Sequence, residues 1–419
     1  MENIKMKPSG IEWIGDIPSD WEVVNIGGMY TVRNQKVSDR DYPPLSVTKQ
    51  GVLPQLDFVA KTNAHDDRKL VKKGDFAINS RSDRRGSCGV SEYDGSVSLI
   101  NTVLKPREQM HSGYYNWLFH TIQFGDEFYK NGHGIVDDLW TTNWQDMKKM
   151  RVPSPSICEQ QAIASFLDTK CLELDNLITN IQSQIETLEQ YKRSLITETV
   201  TKGLNSNIET KDSGIEWVGS IPKHWEVHPV YHYFGERKTK NSALKEQNLL
   251  SLSYGKIIRK DIDTLGGLLP ASFNTYNIVE PDDIIIRPTD LQNDKRSLRT
   301  GLVTEHGIIT SAYIDLMPKA NVNSKYFHYL LHSYDVTKVF YNMGNGVRQG
   351  LNYSEFAKLM VFAPPTQEQQ EIVDYIDTKS DEINTIISEK KNQIETLEQY
   401  KKSLIYEYVT GKKQVKENA

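Results

Sequence analysis

The chain has 419 residues, a formal net charge of −5, 38% hydrophobic and 25% charged residues, and a mean hydropathy of −0.55. It has no apolar run near the roughly 18 residues needed to span a membrane, and Met1 to Lys7 lack the apolar stretch of a secretion signal. Three cysteines, Cys88, Cys158 and Cys171, form neither a disulfide framework nor a CxxC site, so a cytoplasmic location is expected.

Along the chain, the first marker is Ser9-Gly10-Ile11-Glu12-Trp13, which returns as Ser213-Gly214-Ile215-Glu216-Trp217, an offset of 204. Alternating stretches such as Asp75-Phe76-Ala77-Ile78 read as strands, and Tyr114 to Tyr129 reads as a helix. After Pro153-Ser154-Pro155, where proline forbids earlier helix, apolar residues recur at Leu167, Leu174, Ile178, Ile181, Ile185 and Leu188. That spacing predicts a heptad seam on a helix from Glu159 to Thr201-Lys202-Gly203, roughly 65 Å long. The second half repeats the plan with a strand at Asp283 to Ile286, a helix over Tyr326 to Tyr341, and a long helix after Pro364-Pro365. Its seam runs Ile376, Ile383, Ile387, Ile394 and Leu397, interrupted at Ser380 and Lys390. Gln184 to Lys192 returns unchanged as Gln393 to Lys401, an offset of 209. Two markers in the same order at nearly one offset make a tandem duplication. The predicted architecture is α+β: mixed blocks over 1–155 and 204–365, long helices over 156–203 and 366–412, and a tail over 413–419.

What survives between the halves is mainly turn and core residues; what differs is mainly polar. Gly89 and Gly301, Gly95 and Gly307, and Pro106 and Pro318 share an offset of 212. The charge is uneven: residues 368–408 hold ten acidic and five basic residues, whereas residues 235–362 hold sixteen basic and thirteen acidic. A mildly acidic total therefore does not exclude DNA binding.

No phosphate loop, dinucleotide fingerprint or methyltransferase motif is present. Pro281-Asp282 with Asp294-Lys295 is a poor match to a nuclease core, because the second acid abuts its lysine and the first half has no counterpart. His224, His228 and His232 have helical spacing, but Pro229 falls inside the run, and they read as surface histidines; no metal site is expected. The stronger candidates are loops after the paired strands. The first carries Asn79, Ser80, Arg81, Arg84 and Arg85; the second carries Arg287, Thr289, Gln292, Asn293, Lys295, Arg296 and Arg299. Both combine guanidinium forks, which match phosphate and guanine, with amides and hydroxyls that read other base edges. A third segment per half adds His133, and Asn345, Arg348 and Gln349. Each loop by itself reads more readily as a solvated basic turn; their equivalent placement in both halves favours a shared DNA-facing surface.

These motifs resemble the specificity subunits of Type I restriction-modification systems over nearly the whole chain. The resemblance rests on Gly10 to Pro18 with Trp21-Glu22-Val23, repeated as Gly214 to Pro222 with Trp225-Glu226-Val227. It rests equally on Glu159-Gln160-Gln161 through Lys170 and on Glu368-Gln369-Gln370 through Lys379. It implies two target-recognition domains separated by two antiparallel helices, each domain reading half of a bipartite DNA site and the helices setting the gap. It also implies two modification subunits using S-adenosylmethionine, and restriction subunits using ATP and Mg, with no cofactor bound by this chain. On that reading the subunit is non-catalytic, and a four-residue insertion after Lys202 is expected to change the gap. The alternative is a non-catalytic coiled-coil scaffold with two peptide-binding domains.

Overall fold

The computed structural model describes residues 5–55, 65–81, 84–135, 140–262, 272–289, 291, 298–343 and 350–415, the side chains of Tyr341 and Asn342 excepted. Contacts divide it into two compact units, Met1–Gln182 with Lys391–Ala419, and Ser183–Lys390.

In the first unit an antiparallel sheet runs in the order Tyr30–Val32, Asn101–Pro106, Phe76–Asn79, Cys88–Val90. Its second strand from the edge with the loop, Phe76–Asn79, is apolar at successive positions because both faces are covered. Phe76 and Ile78 enter an aromatic-rich core with Trp21, Tyr30, Tyr114 and Phe119, while Ala77 enters a smaller core with Val71, Val97 and Val103. The second unit repeats this order as Phe234–Glu236, Ile314–Pro318, Ile284–Ile286, Thr300–Leu302. Here too Ile284 and Ile286 face one core, and Ile285 the other. The shared glycines mark close approaches: a β-carbon at Gly95 would lie 2.6 Å from the Pro43 carbonyl oxygen, and one at Gly307 2.6 Å from that of Asn248.

The first long helix spans Ile157–Lys202 and the second Thr366–Val409. The Ser156 hydroxyl accepts from the Glu159 amide at the start of the first, and Gly203, at φ +75°, supplies the left-handed residue that ends it. Within the first unit Lys401 Nζ reaches Asp175 at 2.6 Å and Phe166 stacks near Tyr408. Within the second, Lys192 Nζ donates to Asn384 at 2.8 Å and Lys390 Nζ to Gln184 at 2.5 Å. In each unit one helix is met in rising and the other in falling residue order, so the helices run antiparallel. Lys192, and Lys390 which interrupts the apolar seam, thus make polar contacts between the helices. Leu167, Ile181, Ile185, Ile376, Ile383 and Ile387 are buried; Leu174, Ile178, Leu188, Ile394 and Leu397 are half-buried.

Each unit is closed by the end of the long helix from the other half of the sequence. Tyr114 Oη donates to the Val409 carbonyl at 2.7 Å, and Tyr326 Oη to that of Val200 at 3.3 Å. The Trp21 indole donates to Glu159 at 2.9 Å, and that of Trp225 to Glu368 at 3.1 Å. The expected helix over Tyr114 to Tyr129 is two helices, Ser112–Phe119 and Ile122–Lys130, because Thr121 turns its hydroxyl to accept from the Phe124 amide and caps a new start. The helix expected over Tyr326 to Tyr341 is Ser324–Val336, followed after Lys338, at φ 65°, by a 3₁₀ turn over Val339–Asn342.

Candidate nucleic-acid interface

In the first unit the loop begins where the strand Phe76–Asn79 ends. Asn79 Oδ1 accepts from the Arg81 amide at 3.1 Å, the side-chain device that turns a chain. The Ser80 hydroxyl meets that of Thr102 at 3.0 Å, and the Ser80 carbonyl accepts from the Thr142 amide. Asn79 and Ser80 are therefore half-buried builders of the turn, while Arg81, Arg84 and Arg85 are exposed on it. Arg81 and His133 both pair through their backbones with Thr141. That strap brings the two loops expected to face DNA side by side.

Arg85 lies over the Tyr129 ring, 3.9 Å from its centroid, and reaches Asp126 at 2.9 Å. Both partners of this ion pair are about half exposed, so the pair is worth at most about 1 kcal/mol and a phosphate or guanine can displace Asp126 cheaply. Arg81, Arg85, Phe128, Tyr129 and Trp140 line a narrow slot there. His133 is exposed, with Nε2 3.1 Å from Asp146. The slot aromatics are not legible in the sequence because Tyr129 and Trp140 meet only in the folded chain, where the Trp140 indole donates to the Tyr129 carbonyl at 2.8 Å.

In the second unit the expectation for Arg299 does not survive. Its side chain is fully buried, with Nη1 donating to the Thr289 carbonyl at 2.5 Å, while its amide donates to Asp335. A guanidinium so enclosed braces the loop rather than facing a ligand. Arg287 and Thr289 are half-buried, and the Arg287 amide donates to the Arg299 carbonyl. Gln292, Asn293, Lys295, Arg296, Asn345, Arg348 and Gln349 lie outside the described residues, as do Asp294 and Gly346.

Beneath each loop lies the same ion pair. Arg33 Nε and Nη2 contact Asp75 at 2.6 and 3.1 Å, and Arg237 contacts Asp283 at 2.6 and 3.1 Å. The Lys72 and Glu280 amides complete the carboxylate shells at 2.9 Å each. These forked pairs fix the strand that launches each loop. Offsets of 204 for arginine and 208 for aspartate were the available signal.

The three histidines do not share a helix face: His228 lies in the strand Glu226–Pro229, His232 stacks on it at 4.1 Å, and His224 Nε2 is 2.6 Å from Glu368. Among the described residues no cluster of three metal-ligating side chains occurs. His328 and His332 are half-buried on the helix Ser324–Val336, where burial pushes them down to about 3 and about 4. They are neutral at physiological pH.

The family model of the Type I restriction modification DNA specificity domain matches residues 18–190 and 305–396. The chain belongs to this family. It is 25% identical over 431 residues, covering 96% of both chains, to the putative type I restriction enzyme MjaX specificity subunit of Methanocaldococcus jannaschii. It is 23% identical to the type I restriction enzyme MjaVIII specificity subunit of the same organism, over 96% of this chain and 94% of that one. Its fold is similar to a chain solved in work on complex assembly and conformational transition of the type I R-M system, with a TM-score of 0.69 at 12% identity, covering 94% and 98%. It is also similar to the HsdS subunit from Thermoanaerobacter tengcongensis, with a TM-score of 0.53 at 12% identity and the same coverage. The resemblance read from the duplicated motifs and the α+β fold with a long helix pair are both borne out, and the chain is a DNA-specificity subunit. Among the described residues no helix is long and apolar enough to cross a membrane.

Proposed function

We propose that each unit carries one recognition domain reading half of a bipartite DNA site, and that the helix pair sets the unread gap and holds two copies of a modification subunit. The observation that carries this is the pairing of like scaffolds with unlike loops. Trp21–Glu159 and Trp225–Glu368, Arg33–Asp75 and Arg237–Asp283, and Tyr114–Val409 and Tyr326–Val200 repeat between units. The exposed residues above them differ. Such a molecule offers two related surfaces to two different sequences.

Each unit also has a groove on its long helices. In the first it is lined by Phe166, Tyr400 and Leu404, in the second by Tyr375, Tyr191 and Leu195. At an offset of 209 these are the same three positions. Repeated grooves with aromatic and aliphatic side chains at matching positions support docking of two identical partners. S-adenosylmethionine chemistry, and the ATP and Mg of restriction, then belong to the partners, and this subunit selects the site without reacting.

Reversing Arg84 and Arg85 to glutamate tests DNA reading against peptide binding. The purified complex should lose affinity for duplex DNA, and the slope of log K against log salt should become shallower by about 1–2, at about 0.9 per lost phosphate contact. Unchanged affinity and slope would contradict the placement of the DNA on this loop.

A further inference from the structure

The hairpin Leu250–Ser253 and Lys256–Arg259 turns through two residues, Tyr254 and Gly255, with Ser253 paired to Lys256. Both central residues are left-handed, at φ 47° and 78°, as a type I′ turn requires. Glycine suits that region; tyrosine does not, because its β-carbon crowds the following carbonyl. Asparagine is the usual residue at the first position. Among the described residues the tyrosine side chain makes no hydrogen bond and no ring contact in exchange. At 81% exposed it is the most exposed aromatic ring among the described residues.

The tip stands beside the loop already placed at the candidate interface. A β-carbon at Gly255 would lie 3.1 Å from Leu298, the neighbour of the buried Arg299 that braces Arg287 and Thr289. Lys256 follows the turn and is exposed, and its charge bears on Lys192 of the long helix. An aromatic ring is thus presented two residues from an exposed cation at the edge of the loop. The corresponding hairpin of the first unit, Leu45–Thr48 and Gly51–Pro54, keeps its place over the sheet: a β-carbon on Gly89 would lie 2.7 Å from Gly51. Its tip carries exposed Lys49 and Gln50, neither with positive φ, and Thr48 Oγ1 closes the turn. The support is kept and the tip is changed, the pattern of a specificity element.

We propose that Tyr254 is a base-contacting, specificity-determining residue of the second recognition domain, its ring packing against base edges or a base step of that half-site. This rests on the DNA-reading function proposed above. Strain held at an exposed position without a return in packing is characteristic of functional sites. Aromatic packing on bases supplies a compensating return when DNA is bound.

The test uses the full chain with its modification subunits, comparing wild type, Y254F and Y254N, on the methylated motif that the wild-type complex defines. Asparagine suits the turn, so the unfolding midpoint of Y254N should equal or exceed wild type. Its affinity for duplex DNA carrying the motif should fall about 10-fold or more, and its sequence requirement should relax in one half-site. Y254F should stay close to wild type. A Y254N complex with unchanged affinity and motif overturns the proposal, as does a Y254N chain that unfolds earlier, which would make the ring structural. A wild-type chain that directs no motif at all instead refutes the DNA-reading function, and the role of Tyr254 with it.

Discussion

Replacing Asp315 by valine should stabilise the protein, and increasingly so as pH rises. Asp315 is 1% exposed and lies on Ile314–Pro318, paired opposite Ile285. The first unit holds Val103 at the equivalent place, opposite Ala77. Among the described residues no N–H or hydroxyl reaches either carboxylate oxygen, and its hydrogen-bonding neighbour is the Asp283 carboxyl. Arg237 is already committed to both oxygens of neighbouring Asp283. Burial first, then the Asp283 charge, push the Asp315 carboxyl up to about 8, against the pull of Arg237. The other charges bearing on the pair are Glu236 and Glu280. In the unfolded chain the same group loses its proton near pH 4. Between those limits the folded state binds more protons than the unfolded state, so this group's favourable contribution is complete below pH 4 and is lost as pH rises towards 8. The slope is at most about 1.4 kcal/mol per pH unit. Once protonated, the Asp315 carboxyl donates to Asp283, so the neutral form is satisfied and the cost is confined to the ionised one. D315V should therefore change stability little at low pH and gain several kcal/mol at pH 7.5. Urea unfolding of the second unit at pH 5, 6.5 and 7.5 measures this. Equal or lower stability with an unchanged pH slope would refute the reasoning and show Asp315 to be ionised and paired.

Removing the other member of this cluster should act oppositely: R237M leaves Asp283 buried without its partner and should cost about 3–5 kcal/mol in the same unfolding assay. In the first unit G95A places a methyl against the Pro43 carbonyl and should cost about 1–3 kcal/mol, read as a lowered midpoint. The gap-changing insertion belongs inside the helices rather than after Lys202, because Ile196 and Val200 already pack in the second core. Seven residues inserted after Ser183 and seven after Lys391 keep the heptad phase and add about 10 Å. The methylated motif should keep both half-sites with a longer gap, and altered half-sites would contradict the ruler.

The start and stop of the first long helix are legible in the sequence because their signals are local, Pro155-Ser156 before Ile157 and Gly203 after Lys202, whereas the second, expected to run to 412, ends at Val409. The duplication is legible because unlike loops leave the Trp, Gly and Pro anchors in register. Three features are not local and could not be read. The docking of Val409 on Tyr114 joins residues 295 apart. The break at Thr121 depends on a hydroxyl choosing a backbone amide over solvent. Arg299 looks like its basic neighbours in sequence, yet its strand register beside Thr300 turns it inward, where the carbonyls of Arg287 and Thr289 receive it. The candidate site is thus legible as a region, whereas the division between reading and bracing residues depends on packing.

The central claim is that this chain selects a two-part DNA site for partners that modify it. Its most direct test is to express the chain with its modification subunit in a host without adenine methylation and to map N6-methyladenine across the genome. The account predicts one bipartite motif with a fixed unread gap, absent when the chain is omitted. Methylation by an active modification subunit that is the same with and without the chain would contradict it.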